Sequence, residues 1–371
     1  MKITDVKTRR IQTTLEPPLY AAWDPEPRRT FDATLVAVET DEGLTGIGSG
    51  DTMAGFSESG FEAFFIGEDP LRMARHVRTI ETLDFHAGRY WPLEAALWDL
   101  VGKITAQPVA NLFGGEMNRV PAYASCGELK SPGARAESAV QLREEGFRAM
   151  KIRVDPHRAD EGIASVAAAR EAVGDSMEIM VDLNQAWRMA GDATRSMDVA
   201  GIRRIAARLR ELDVFWLEEP LPISDTSGLS LLKQASGLRL AGGEMARTMN
   251  ELLSCLDADA LDVYQPDVVL SLGMMRARTF AELALDRNRL FTPHTWTNGI
   301  GLLANLHVTC GVGGGPYLEY PYDPPGWTPE RRDFMLEEPV RADGEGYISI
   351  PEKSGLGVCL KEEHKRVLLA E

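Results

Sequence analysis

The feature that most constrains this chain is a repeat between Lys151 and Glu319, in which short apolar runs end in ionisable residues. The runs read RAMKIR, EIMVDLN, VFWLEEP, LRLAGGE, LDVYQPD, LFTPHTW and PYLEYP. Their tips are Lys151 and Arg153, Asp182, Glu218, Glu244, Asp267, His294 and Glu319. A charge beside a core costs free energy unless it is paired or bound to metal. Charges at the same end of successive buried strands therefore call for one shared explanation, a single site.

Helical patterns separate these runs. PGARAESAVQLREEG, ADEGIASVAAAREAVG, MDVAGIRRIAARLRE and GIGLLANLHVTCG have apolar residues at helical spacing. With VPAYAS added at the front, eight strands alternate with helices, which implies parallel βαβ units. Eight such units over roughly 200 residues imply a closed barrel rather than an open sheet.

The flanks differ in texture. Residues 1–50 read as strands, with KITDVKTRRI alternating and a turn at Asp41–Gly43. Gly46, Gly48 and Gly50 make a GxGxG without the context of a nucleotide fingerprint, and read as tight turns at strand ends. Residues 15–31 hold Pro17, Pro18, Pro25 and Pro27 and read as a long irregular loop carrying Tyr20, Trp23 and Arg28, the kind of loop that forms a binding lid. Residues 57–113 read as helical, through SGFEAFFIGEDP, RMARHVRTIETL and WPLEAALWDLVGKITAQ. Residues 322–371 read as loops and short strands that can pack back on the N-terminal unit. The expected division is 1–115 as an α+β unit, 116–321 as the barrel and 322–371 as a returning segment.

Composition narrows the functional classes. A net charge of −16 and a pI near 5.0 exclude a phosphate-neutralising surface, so no nucleic-acid partner is expected. No run approaches a membrane span of about 18–20 apolar residues, and MKITDVKTRRIQTT lacks the apolar core of a signal peptide. Cys126, Cys255, Cys310 and Cys359 show no metal-ligand spacing and read as reduced thiols, Cys126 as a small core residue. A cytoplasmic homo-oligomer acting on a small molecule is expected.

Asp182, Glu218 and Glu244 end three consecutive strands. Three carboxylates brought together repel unless a cation lies between them, and hard oxygen donors suit Mg²⁺. Alternation puts Glu218 and Glu219 on opposite faces without saying which points inward. Asp267 can orient His294 and raise its basicity, the arrangement of a general base. No GxSxG elbow or reactive-cysteine signature is present, which disfavours covalent hydrolysis.

These residues resemble a family. ALWDLVGKITAQPVANLFGG, followed in order by KIR, VDLNQAW, WLEEPL, GGE, QPD, PHTW and LEY, resembles the mandelate racemase-like branch of the enolase superfamily over nearly the whole chain. The resemblance implies a modified TIM barrel, (β/α)7β, under an α+β capping domain formed by the N- and C-terminal segments. It implies Mg²⁺ held by Asp182, Glu218 and Glu244, abstraction of the proton α to a carboxylate, and Lys151 and Glu319 at the developing charge. Glu319 would have to be protonated to donate there, or else carry charge beside its partners unfavourably. Asn184, Tyr20, Trp23 and Trp296 are expected to contact substrate.

One departure bears on the reaction. Branch members commonly carry KxK on the second strand, and here it is Lys151-Ile152-Arg153. An arginine stays protonated and is a poor base. A two-base racemase then lacks one base, and His294 alone favours β-elimination, an acid-sugar dehydratase. A racemase, epimerase or lactone cycloisomerase on the same scaffold is the alternative. A polar stretch near 186–198 reads as an extended loop after the third strand.

Overall fold

The computed structural model describes residues 1–50, 53–84 and 88–370. The helical expectation over 57–113 lies outside the described residues at 85–87.

Strands β1 (Ile3–Leu19), β2 (Arg28–Thr40) and β3 (Thr45–Gly50) form an antiparallel sheet in that order. β2 is buried on both faces. Phe31, Ala33, Leu35 and Ala37 pack with Ile300, Trp327 and Met335, while Val36 and Val38 face the helices of the cap. The irregular loop is shorter than the expected 15–31. After a register shift beyond Thr14, Leu19 still pairs with Arg28, because Leu15 and Leu19 are buried, and only residues 20–27 lie outside the strands.

The cap helices are α1 (Met73–Asp84), α2 (Trp91–Thr105) and α3 (Val109–Leu112). SGFEAFFIGEDP is not a helix but turns around a short 3-10 segment, Phe61–Phe64. Gly60 and Gly67 take positive φ there and Pro70 follows, which breaks a continuous helix. The GxGxG is not a set of turns. Gly46 and Gly48 lie inside β3 so closely under α2 that a Cβ would meet the Ala96 and Pro92 carbonyl oxygens at 2.1 Å. The glycines let strand and helix pack backbone to backbone.

The barrel strands are β4 (Arg119–Ser125), β5 (Ala149–Arg153), β6 (Glu178–Asp182), β7 (Val214–Glu218), β8 (Leu240–Gly242), β9 (Val263–Tyr264), β10 (Leu290–Phe291) and β11 (Leu318–Pro321). They pair in parallel in the order β10-β9-β8-β7-β6-β5-β4-β11. The outermost two, β10 and β11, meet through a Phe291–Gly315 bridge and the Thr295 hydroxyl, which donates to the Glu319 carbonyl at 2.8 Å. Helices α4 (Pro132–Glu144), α5 (Ala159–Val173), α6 (Val199–Arg210), α7 (Thr226–Ser236), α8 (Met249–Asp257), α9 (Met274–Asp286) and α10 (Gly299–Val312) alternate with the strands. The fold is the (β/α)7β class expected.

The interior explains where the polar tips go. Tyr123, Ala149, Met180, Trp216, Ala241 and Val263 form one buried cluster, a layer of inward side chains from successive strands. Side chains on a strand repeat with period 2. Two residues further along β4 to β7 come Ser125, Lys151, Asp182 and Glu218, so these stand directly above that layer.

The last segment touches both parts. After α11 (Pro329–Arg332), β12 (Tyr347–Ser349) pairs with the start of β4, and α12 (Glu362–Leu369) packs on β1, burying Leu368 with Ile11 and Leu15. That final helix departs from the expected loops and short strands. Buried Asp99 of α2 ties the junction, accepting from Ile47 N and Leu356 N at 2.8 Å and pairing with Lys103.

Candidate active site

Asp182, Glu218 and Glu244 are buried, and their nearest oxygens lie within 4.8 Å of one another. Glu218 is therefore the member of the pair that joins the cluster. Glu219, the next residue, has φ +44° and both carboxyl oxygens buried without a hydrogen bond. Burial first, then the neighbouring Glu244 and Glu218, pushes its pKa well above the usual range.

The three carboxylates are held by side chains around them. Asp182 accepts from Asn184 N at 2.7 Å and pairs with Arg153. Glu218 accepts from Trp216 Nε1 at 3.0 Å and Gln265 Nε2 at 2.7 Å, and pairs with Lys151. Glu244 accepts from Trp187 Nε1 at 2.7 Å, while its second oxygen is buried and accepts no hydrogen bond. Burial raises the Glu244 pKa.

The charges test whether a metal fits. Leaving aside Glu219, which burial holds toward its neutral form, five buried carboxylates (Asp182, Glu218, Glu244, Asp267, Glu319) surround the buried Lys151, Arg153 and His294 among the described residues. Even with His294 protonated, two negative charges are uncompensated. Uncompensated buried charge costs several kcal/mol. A hard divalent cation seated on the open Glu244 oxygen matches both the deficit and the all-oxygen donor set.

His294 Nδ1 lies 2.9 Å from Asp267 Oδ2, and Nε2 lies 3.9 Å from Glu244. Asp267 is itself fixed by Val269 N at 2.9 Å and Asn305 Nδ2 at 3.1 Å. Burial opposes charge on His294, but Glu244, Glu319 and Asp267 outweigh it and lift its pKa to about 10. A cation on Glu244 offsets the largest of these pulls.

Of the two states expected for Glu319, the charged one fits its partners. It accepts from Ser125 Oγ and from Thr295 N, each at 2.7 Å, and pairs with Lys151 at 2.7 Å. Burial raises its pKa, but Lys151, His294 and Arg153 bring it down to about 2. It is an ionised acceptor that grips Lys151, not a protonated donor.

Arg153 lies across the ring of strands from His294. Besides Asp182, it donates to Cys126 O at 3.3 Å and Asn184 Oδ1 at 3.2 Å, and its guanidinium sits over the Trp23 ring. Trp296 meets Trp23 edge-on at 4.7 Å and donates to Ser125 Oγ at 2.8 Å. Cys126 is buried and its thiol is pushed up to about 12, as for an inert core residue.

A cavity of about 620 Å³ opens outward from Arg153 and Asn184, between the Trp23 segment and residues 183–194. The extended stretch after β6 thus lies at the site. Tyr20 does not join it. It is 58% exposed and does not line the cavity, and its backbone N donates to Glu128 Oε1 at 3.3 Å. Arg28 is engaged by Asp24 in a two-pronged pair. Sequence reading missed Ser125, Trp187, Gln265 and Asn305. The period-2 rule reaches Gln265, two residues before Asp267, but nothing local marks Trp187, which reaches Glu244 from a loop.

Residues 3–114 match the family model described as mandelate racemase/muconate lactonizing enzyme, N-terminal domain, and residues 134–364 match that described as enolase C-terminal domain-like. The chain belongs to the mandelate racemase-like branch of the enolase superfamily. Within this superfamily it is 30% identical to a 3,6-anhydro-alpha-L-galactonate cycloisomerase of Streptomyces coelicolor, over 90% of either chain. It is 28% identical to a D-xylonate dehydratase of Haloferax volcanii, over 88% of this chain and 82% of that one. A racemase from Streptomyces coelicolor, solved with bound magnesium, superimposes with a TM-score of 0.84 at 27% identity, over 99% of both chains. Enolase-superfamily relatives of this chain thus include both lyases and isomerases acting on sugar acids.

Proposed function

We propose that this protein is a Mg²⁺-dependent acid-sugar dehydratase. Asp182, Glu218 and Glu244 would hold the ion. When bound, it supplies a Lewis acid that stabilises negative charge developing on the substrate carboxylate.

The remaining work falls to the chain's own groups. The Lys151 ammonium, gripped by Glu319, donates to the substrate carboxylate. Asp267 holds the Nδ1 hydrogen of His294, so Nε2 takes the proton from the carbon α to that carboxylate. The α carbon–hydrogen pair of electrons forms the new double bond as the β carbon–oxygen bond breaks. The departing hydroxyl takes the proton back from Nε2 and leaves as water. The enol that results tautomerises to a 2-keto-3-deoxy acid. Arg153 and Asn184 orient the substrate, and Trp23, backed by Trp296, excludes water.

The observation that carries this reading is the single base. Lys151 is committed to Glu218 and Glu319, and Arg153 to Asp182, which leaves His294 as the acceptor among the described side chains of the cluster. One base on one face suits elimination, whereas racemisation needs a base on each face.

A second reading, cycloisomerase, is supported by the Streptomyces relative. The first step is the same, but the leaving oxygen belongs to a ring of the substrate and stays attached, so no water is lost. The test is incubation of the Mg²⁺-loaded enzyme with sugar acids, their lactones and anhydro forms. A 2-keto-3-deoxy product detected with semicarbazide is expected. An isomer of unchanged mass establishes the second reading, and α-proton exchange in deuterium oxide without either product sinks both.

A further inference from the structure

Two of the three carboxylates in the acidic cluster are each held from three residues on or beside the barrel strands. Asp182 is engaged by Asn184 N, Arg153 and Lys151, and Glu218 by Trp216, Gln265 and Lys151. Glu244 is held differently. Among the described residues its one hydrogen bond comes from Trp187 Nε1, which donates to Oε1 at 2.7 Å. Its other oxygen lies 3.9 Å from His294 Nε2, beyond a hydrogen bond. A glutamate so lightly held can turn toward the cluster or onto the histidine. The indole sets its direction.

Trp187 stands on no strand or helix. It belongs to the stretch between β6 and α6, which folds as a closed loop. At the neck, Ser196 Oγ donates to Gln185 O and Met197 N donates to Gln185 Oε1, each at 2.8 Å. Gln185 N in turn donates to Glu219 O at 2.9 Å, beside the cluster. Within the loop, Arg188 crosses from one arm to the other. Its Nη1 donates to Asn184 O at 2.6 Å and Trp187 O at 2.8 Å, and its Nε donates to Thr194 O at 3.1 Å. These bonds bring the indole to Glu244. Residues 190–196 are exposed throughout. A surface loop closed by a few bonds of its own opens at lower cost than the buried strands around it.

We infer that Trp187 is a positioning residue for the ion, and that the loop carrying it is coupled to ion binding. The folded loop delivers the indole to Glu244 and so favours the ion. The ion fixes Glu244 and so favours the folded loop, because coupling between two sites is reciprocal. The inference rests on the Mg²⁺ reading above and names the segment that governs how tightly the ion is held.

The test measures Mg²⁺ dissociation constants by calorimetric titration, and tryptic cleavage after Arg195, which is exposed on the loop. Trp187→Phe keeps an aromatic ring but removes the donor, and is expected to weaken Mg²⁺ by about tenfold or more, as for other groups that orient a metal ligand. Arg188→Gln loosens the loop without touching the cluster, and is expected to weaken Mg²⁺ severalfold. That second loss is expected to vanish in the double variant, since the loop acts on the ion through the indole. Mg²⁺ is expected to slow cleavage after Arg195 severalfold in the unsubstituted protein and not in Trp187→Phe. Urea unfolding in chelator separates loss of fold from loss of binding.

Unchanged Mg²⁺ affinity in a folded Trp187→Phe, or losses that simply add in the double variant, overturns the inference and leaves the dehydratase reading standing. Weakened Mg²⁺ and lost protection in a protein that dehydrates no sugar acid uphold the inference and remove that reading. No Mg²⁺ binding by the unsubstituted protein overturns both.

Discussion

Trp23 of the cap stands over the guanidinium of Arg153 in the barrel, with 4.8 Å between ring centroid and Cζ. The same guanidinium pairs with Asp182 and donates to Asn184. A residue between the first two strands is therefore one contact away from a carboxylate of the acidic cluster. The stack joins the lid to the site, and Trp296 supports it edge-on.

A cation–π contact of this kind contributes about 0.5–2 kcal/mol. Trp23→Ala is expected to lower kcat/KM by about tenfold, at 1.36 kcal/mol per decade of rate. It is also expected to speed proteolytic cleavage within residues 20–27 while leaving the Mg²⁺ dissociation constant within about twofold. Unchanged proteolysis together with unchanged kinetics would show that the lid is held elsewhere.

The His294–Asp267 pair makes a sharper prediction. Asp267→Asn keeps the volume and the contacts to Val269 N and Asn305, but offers an amide to Nδ1 and favours the wrong tautomer. Loss of such an orienting carboxylate costs on the order of 10²–10⁴ in kcat. His294→Asn is expected to abolish α-proton exchange in deuterium oxide, with Mg²⁺ binding retained. Exchange that survives in His294→Asn would assign the base to another group.

Much of this site was legible in the sequence, for a geometric reason. Side chains repeat with period 2 on a strand, so Lys151, Asp182 and Glu218 at successive strand ends had to share one mouth once the strands were parallel. What stayed hidden depends on contacts between distant segments. That Glu319 is an ionised acceptor follows from Ser125, Thr295 and Lys151, which come from three other parts of the chain. That Gly46 and Gly48 serve close packing follows from α2, some fifty residues later. The lid was overestimated because prolines mask a strand that resumes at Leu19 after a register shift.

The uncompensated charge at Asp182, Glu218 and Glu244 predicts a ligand-linked stabilisation. Mg²⁺ at about 100 times its dissociation constant is expected to stabilise the fold by about 2.7 kcal/mol, seen as a raised urea midpoint. Glu244→Gln replaces the carboxylate oxygen that accepts no hydrogen bond, and is expected to weaken Mg²⁺ by at least tenfold in calorimetric titration. Equal affinity in the two proteins would place the ion away from Glu244.

A last prediction concerns the seam between cap and barrel. Glu94 of α2 accepts from Met275 N of α9 at 2.8 Å and from Trp98 Nε1 at 3.1 Å, while its second oxygen is buried without a partner. Burial lifts its pKa from 4.5 to about 7 against those two donors. The folded state thus binds this proton more tightly than the unfolded chain does. The stabilisation is complete below pH 4.5 and is lost as pH rises through 7. At 1.36 kcal/mol per pKa unit the loss is about 3 kcal/mol. Glu94→Gln keeps an acceptor for Met275 N and does not titrate. Denaturant unfolding at pH 5 and pH 8 is expected to show the variant gaining about 3 kcal/mol on the wild type between those two values. A constant difference between the two proteins across that range would mean that Glu94 keeps its charge in the fold.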